Sequence, residues 1–267
     1  MIKATVGILT FNSAKYLYKC LSSVKNFNEI LIIDGGSKDE TLKIAKKFKC
    51  KIKQQPKKFK FKNNKIKDFS KLRDHILKLS KNDLVLFLDS DEFLDKSALK
   101  KIDFYSKSQI SKKKYYSFLL GRFPIHKNKI ITQKTIFYPN YQDRLFYKSN
   151  IKTFIKPVHE RVIPKNKYLM KKKIENASII FPLDLNYQRL YDKSKYYFEI
   201  EKTMVSRKKF LKSLHFVFYR FLVIVKYAYK GLFLNYRKLD KDYKDFENKR
   251  IKINIFFSIK LLLKTLS

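Results

Sequence analysis

The sequence predicts an α/β protein, with a Rossmann-like, mostly parallel central sheet flanked by helices and a C-terminal helical extension. Three observations predict it. Over the first ninety residues short apolar runs alternate with helical patterns, as in successive βαβ units. The run Leu84-Val85-Leu86-Phe87-Leu88 is continuously apolar, which suits a strand covered on both faces. The 267 residues exceed what the first half needs, and a single core grows to about 250 residues before splitting, so one α/β domain with an appendage is expected.

Taken in order, Thr5 to Leu9 is the first strand, and Leu17, Leu21 and Val24 follow at helical spacing. Ile30 to Ile33 makes a second strand, Leu42, Ala45 and Phe48 mark a second helix, and Lys51 to Gln54 is a weaker third strand. After the basic loop Lys57 to Lys67, the residues Phe69, Leu72, Ile76 and Leu79 form an amphipathic stripe leading to the apolar run. Between Tyr115 and Pro182 the pattern is strand-like and irregular, interrupted by Pro124, Pro139, Pro157 and Pro164, with no long helix.

From Leu183 the chain reads as helical. Leu214 to Leu234 is rich in large apolar residues, yet Arg220, Lys226 and Lys230 break it and argue against a membrane span. With the apolar run Ile253 to Leu263 it reads either as an interfacial helix whose Lys and Arg reach lipid headgroups, or as a helix packed on the catalytic domain. The expected division is a catalytic domain over 1–182 and a basic, apolar helical extension over 183–267. Met1 to Val6 enters a strand-like run without the apolar core and cleavage site of a signal peptide, so a cytoplasmic location, peripheral at the inner membrane face, is expected.

The net charge of +39 would attract nucleic acid, anionic lipid or a phosphorylated glycan. Most of the excess is Lys, which accompanies abundant Ile, Asn, Phe and Tyr, no Trp and only five Gly, the bias of an AT-rich genome. No nucleic-acid partner is therefore expected. Cys20 and Cys50 stand far apart and read as reduced structural thiols.

The segment Phe87-Leu88-Asp89-Ser90-Asp91-Glu92-Phe93 carries the most chemistry. A strand ending in two carboxylates one residue apart sets oxygens at the carboxyl edge of the sheet, where open α/β sheets bind ligands. Mg²⁺ or Mn²⁺ held there with substrate phosphates would neutralise charge on a diphosphate leaving group. An Asp-x-Asp triplet alone is weak, because acidic residues often simply end a strand in a turn. Upstream, Ile32-Ile33-Asp34-Gly35-Gly36-Ser37-Lys38-Asp39-Glu40-Thr41 ends another strand in an acid, a glycine turn and a helix start, a place for a base or ribose contact or an ordinary β-to-α turn.

Thr10-Phe11-Asn12, Asp34 to Thr41 and Asp89 to Asp91 occur in the order and at the spacings of family 2 glycosyltransferases with the GT-A fold, which the first half resembles. The resemblance implies a nucleotide-sugar donor, expected to be UDP-linked. It puts Thr10 and Asn12 in the nucleotide pocket, Asp34 on base or ribose, and Asp89, Ser90 and Asp91 on ribose, metal and diphosphate. Ser70, Leu72, Arg73 and Asp74 fall where the family has Ala-Arg-Asn, so Arg73 is expected to meet a phosphate or brace Asp89; the departure is Asp74 in place of Asn. Farther on, Tyr141-Gln142-Asp143-Arg144-Leu145-Phe146 and Val158-His159-Glu160 resemble the branch that includes lipopolysaccharide core glucosyltransferases.

That branch implies Glu160 as the base of an inverting transfer, with His159 as metal ligand beside Asp89 and Asp91 or as a partner of Glu160; the two roles can be exchanged. Gln142 and Arg144 are expected to face the acceptor or diphosphate, since a guanidinium binds oxyanions bidentately, although Arg144 would equally suit a salt bridge within the fold, as would Glu160 with Arg161 or Arg144. The implied acceptor is a glycan or lipid-linked molecule of the lipopolysaccharide or cell-surface type, presented at an anionic membrane. His75, His126 and His215 read as structural or surface residues.

Two other classes fit less well. A sugar nucleotidyltransferase should show a Gly-rich, Arg-containing loop after the first strand, and Thr10-Phe11-Asn12-Ser13-Ala14 has no glycine. A basic nucleic-acid-binding protein would explain the charge and the 18 Tyr and 24 Phe, but not acidic motifs at strand ends.

Overall fold

The computed structural model describes residues 1–62, 64–131, 140–205, 210–233 and 241–266. Pro139 and Leu234, and the side chains of Lys226 and Lys230, lie outside the described residues. Contacts divide the chain into two units, one formed by Met1–Ile131 with Asn140–Pro182 and another that holds the described residues from Leu183 onward.

The first unit opens as βαβ: β1 (Ile2–Thr10), α1 (Ala14–Val24), β2 (Phe27–Asp34), α2 (Thr41–Lys47), β3 (Lys51–Gln54), α3 (Phe69–Leu79) and β4 (Leu84–Asp89). It continues with β5 (Phe93–Leu94), α4 (Lys96–Lys107), α5 (Gln109–Lys114), β6 (Tyr115–His126), β7 (Lys129–Ile130), β8 (Asn140–Tyr147), β9 (Ile151–Ile155), β10 (Arg161–Pro164) and β11 (Met170–Pro182). Among the described residues nine strands form one sheet in the order β3-β2-β1-β4-β8-β6-β11-β5, with β7 paired to β6; β9 and β10 make a separate hairpin. The strands β3, β2, β1 and β4 are parallel, and β8 runs antiparallel between β4 and β6.

Alternation along the strands divides the core between two faces. Val6, Ile8, Ile30, Ile32, Leu86 and Leu88 pack with Leu17, Leu21 and Val24 of α1. Leu31, Ile33, Val85 and Phe87 point the other way, onto Leu72 and Ile76 of α3. Gly7 is what lets α3 approach: a Cβ there would lie 2.5 Å from Ile76 Cγ2. Asp68 caps α3 by accepting from Lys71 N at 3.1 Å, and Asp95 caps α4 by accepting from Ala98 N at 2.6 Å, each satisfying a backbone donor that the first turn leaves open.

Pairing also brings chemistry level. Thr10 of β1 is opposite Asp34 of β2, and Leu9 is opposite Asp89 of β4, so three neighbouring parallel strands end their carboxyl edges together.

Among its described residues the second unit holds the helices α6 (Tyr187–Glu201), α7 (Phe210–Phe233) and α8 (Lys241–Leu266). Its core joins Phe198, Val205, Val217, Ile253, Phe257 and Leu261. The buried Glu201 of α6 pairs with Arg220, so one of the cations that interrupt the apolar stretch of α7 serves inside the bundle. Among the described residues no helix is long and apolar enough to cross a membrane.

Candidate active site

The loops that follow β1 and β2 hold each other. Asp34 is buried, and its carboxylate accepts four hydrogen bonds: from Thr10 Oγ1 at 2.8 Å, Gly36 N at 2.8 Å, Ser37 N at 2.8 Å and Ser37 Oγ at 2.6 Å. Burial alone would raise its pKa; the hydrogen bonds from Ser37, Thr10 and Gly36 outweigh burial and hold the carboxyl below its usual value. Four donors match the acceptor capacity of a carboxylate, so Asp34 organises the turn from within. Asn12 sits at a left-handed φ of 48°, receives Lys38 N on Oδ1 at 2.8 Å and donates its own N–H to Ser37 Oγ at 2.8 Å. Ala14 N donates to Asp39 Oδ2 at 3.0 Å, so the second loop supplies a cap for α1.

At the end of β4 a chain of alternating charges takes over. Arg144 of β8 is 3 % exposed and donates through Nη1 (3.2 Å) and Nη2 (2.9 Å) to the two oxygens of Asp89. The same Nη2 reaches Glu92 Oε1 at 3.0 Å. Glu92 is fully buried, accepts from Arg122 Nε of β6 at 2.5 Å, and receives Asp89 N on Oε2 at 2.9 Å. Burial pushes the Asp89 carboxyl up, and the Arg144 guanidinium, followed by Arg122 and Arg73, pulls it well below the usual carboxylate range. Cys20 lies beneath, its Sγ donating to Asp89 O at 3.7 Å; burial, and then the carboxylates of Glu92, Asp91 and Asp89, push its thiol far up.

Across the sheet, α3 grips the segment leading to β10. Phe69 N donates to Pro157 O at 2.9 Å, and Asp74 accepts from Thr153 Oγ1 at 2.7 Å and Phe154 N at 2.9 Å. Asp74, the departure from the family's Asn, thus ties α3 to β9 through a carboxylate that accepts twice. Arg73 lies 4.9 Å above the Phe87 ring and pairs through Nε with Glu160 Oε1 at 2.8 Å.

The expected site residues therefore fall into two linked groups. Thr10, Asn12 and Asp34 share the β1 and β2 loops, and Ser90 Oγ joins them by donating to Ser13 Oγ at 2.9 Å. Asp89 and Arg144 share the charge chain, while Arg73 and Glu160 form their own pair and both contribute to its field. Asp91 is half-buried two residues beyond Asp89, Gln142 is half-buried on β8 opposite Leu120, and His159 is exposed at a left-handed φ of 53°. Arg144, expected to face diphosphate or acceptor, has both terminal nitrogens on Asp89 and Glu92; Arg73, expected on phosphate or Asp89, has its Nε on Glu160.

Glu92 and Arg122 were not among the residues singled out by motif. Their signal is a charge inside apolar surroundings: Glu92 directly before Phe93-Leu94, and Arg122 between Leu119-Leu120-Gly121 and Phe123. Such charges are buried only with partners.

Among the described residues, no three His, Cys, Asp or Glu side chains gather in a way that could hold a metal ion. The donor chemistry still suits a hard cation, because Mg²⁺ is typically bound through one or two carboxylates with substrate phosphates and water completing the shell. Asp91 has the right donor for that arrangement.

The glycosyl transferase family 2 model matches residues 5–162, more than half the chain and the whole span of the two loops, the charge chain and Glu160. The chain belongs to glycosyl transferase family 2. Its sheet order and mostly parallel strands are the GT-A fold of that family. Among relatives, this family 2 chain is 37% identical over 100 residues to the SPbeta prophage-derived glycosyltransferase SunS of Bacillus subtilis (strain 168), covering 37% of this chain and 22% of that one. It is 30% identical over 186 residues to the poly(ribitol-phosphate) beta-N-acetylglucosaminyltransferase TarP of Staphylococcus aureus (strain N315), covering 64% of this chain and 53% of that one. It thus spans about a fifth and about half of those relatives' lengths. A crystal structure of S. aureus TarS 1-349 in complex with UDP-GlcNAc superimposes with a TM-score of 0.49 at 16% identity, covering 94% of this chain and 73% of that one.

Proposed function

We propose that the chain is an inverting, metal-dependent hexosyltransferase. It moves a sugar from a UDP-linked donor to a hydroxyl of a glycan or lipid-linked acceptor in lipopolysaccharide or cell-surface glycan synthesis, at the cytoplasmic face of an anionic membrane. The observation that carries this reading is the meeting of Thr10, Asp34 and Asp89 at the ends of three adjacent parallel strands within the span of the family match. The relatives named for poly(ribitol-phosphate) support an acceptor that bears phosphate, which a net charge of +39 would attract.

In this reading Thr10, Asn12 and Ser90 shape the nucleotide pocket, and Asp34 acts through the turn it holds. Arg144 and Glu92 fix the Asp89 carboxylate so that it meets ribose or diphosphate in one orientation, without reorganisation when the donor arrives. Asp91, with the donor's phosphates, would hold Mn²⁺ or Mg²⁺. When bound, that cation supplies charge neutralisation on the departing diphosphate. Glu160, oriented by Arg73, accepts the proton of the acceptor hydroxyl; His159 is the alternative base and the second candidate ligand, and Gln142 faces the acceptor.

Calorimetric titration of nucleotide diphosphates and nucleotide sugars, with and without Mn²⁺, tests the reading. One nucleotide should bind in a Mn²⁺-dependent way, and Asp91→Ala should remove that dependence while leaving the melting temperature unchanged. No binding across the panel overturns the proposal.

A further inference from the structure

The outer surface of the second unit carries two apolar stripes that its own core does not use. On α7 the inward side presents Val217 to the helical core, whereas Leu211, Phe218, Leu222, Val225 and Tyr229 are between 51 and 79 % exposed. They recur at steps of three, four or seven residues, one face of a helix about 36 Å long. On α8, Ile253, Phe257 and Leu261 face inward, while Ile255, Ile259, Leu263 and Leu266 are 37 to 60 % exposed and again share one face. Exposed single hydrophobics are ordinary, but rows of them that run for three turns or more mark a surface that meets something apolar.

Charge selects what that is. No Asp or Glu occurs from Lys202 to Leu239 or from Asn248 to Ser267; the acids from Leu183 onward fall between Asp184 and Glu201 and between Asp240 and Glu247. Lys252, Lys260 and Lys264 are exposed along the same stretch of α8 as its stripe. An apolar row bordered by lysines and free of carboxylates complements a bilayer with anionic headgroups: the row enters the acyl boundary and the ammonium groups stay at headgroup level. A second copy of the chain is disfavoured as occupant, because it would set one acid-free cationic face against another. Nucleic acid would satisfy the lysines and leave the aliphatic rows in water.

We propose that the outer face of α7 and the C-terminal half of α8 form an interfacial docking surface for an anionic lipid bilayer, with both helices lying in the plane of the headgroups. This deepens the membrane location inferred above, and it stands independently of the transferase chemistry.

The test is co-sedimentation of the full chain with vesicles of phosphatidylcholine alone and of phosphatidylcholine mixed with phosphatidylglycerol, at low and high salt. Binding to the mixed vesicles should be at least about tenfold tighter than to the neutral ones and weaken with salt. Leu222→Asp together with Val225→Asp, at exposed positions, should lower it by at least about tenfold. A second variant, Lys252→Gln with Lys260→Gln and Lys264→Gln, should lose the preference for the anionic vesicles. Equal or absent binding to both vesicle types overturns the proposal, as does binding untouched by both variants. A dimer in sedimentation velocity that the Asp variant dissociates would assign the face to a second copy instead. Nucleotide binding measured on the same samples separates the two readings: vesicle binding without nucleotide binding sinks the transferase and keeps the docking surface, and the reverse result does the opposite.

Discussion

Glu92→Gln removes one charge from a chain of four and changes almost no volume. In the native protein Glu92 is fully buried and receives Arg122 Nε, Arg144 Nη2 and the Asp89 N–H. With the amide in place, the two guanidiniums keep Asp89 as the carboxylate they pair with among the described residues, and Arg144, 3 % exposed, loses one of its two ion-pair partners. Breaking a buried ion pair by removing one partner costs about 3–5 kcal/mol, chiefly because the remaining charge stays desolvated. For a unit of this size each kcal/mol lowers the melting temperature by about 2–4 °C, so the drop should be about 6–20 °C. The assay is thermal unfolding followed by circular dichroism, beside donor titration. Because Glu92 also holds the Asp89 backbone, donor affinity should fall as well. The double variant Glu92→Gln with Arg122→Met should recover part of the lost stability, since it removes the orphaned cation. A melting temperature within about 2 °C of the parent, or a double variant that simply adds both losses, would refute the claim that these charges form one unit.

Three further outcomes follow from the geometry. Glu160→Gln should lower kcat by about 10²–10⁴-fold with nucleotide affinity unchanged, and an undiminished kcat removes Glu160 as the base. Asp34 and Asp89 have folded pKa values below their ordinary ones, so their contribution is fully present above the unfolded value and is lost as pH falls; urea midpoints should decline below about pH 4 and keep declining, because the Asp89 carboxyl titrates far lower, and a flat profile down to about pH 2.5 contradicts this. Gly7→Ala would drive a methyl to 2.5 Å from Ile76 Cγ2 and 3.3 Å from Phe87, and should destabilise by about 1–3 kcal/mol in chemical denaturation; a neutral result would mean that α3 can withdraw from the sheet without loss.

The parts of the fold that are readable in the chain are those written in local pattern. The strands β1, β2 and β4 and the helices α1 and α3 show their periods directly, because each buries a face within a single βαβ unit. The helix α4 is harder to see, since Ala98, Ile102 and Tyr105 are small or widely spaced among lysines. The insertion of β8 between β4 and β6 is not readable at all, because it depends on pairings such as Val85 with Phe146 that no local pattern encodes. The same holds for the site. Thr10, Asp34 and Asp89 stand at strand ends where motif reasoning looks. The partners of Arg144 and Arg73 follow from the strand order and from the grip of α3 on β9, and a charge pattern along one strand carries neither.

That strand order also dictates when the site comes into being. The cations that settle Asp89 and Glu92 lie 55, 52 and 30 residues farther along the chain, on β8 and β6. Loop-closure entropy opposes such distant pairings until neighbouring strands reward them, and topologies rich in them fold slowly. A nascent chain that ends before β6 and β8 has the Asp89 and Glu92 carboxylates without the two guanidiniums that pair with them in the folded protein, and Arg73 of α3 as a cation already in place. The folded arrangement of Asp89 and Glu92 is therefore complete only when β8 pairs beside β4, and a chain that stops short of residue 144 lacks the guanidinium that bridges the two carboxylates.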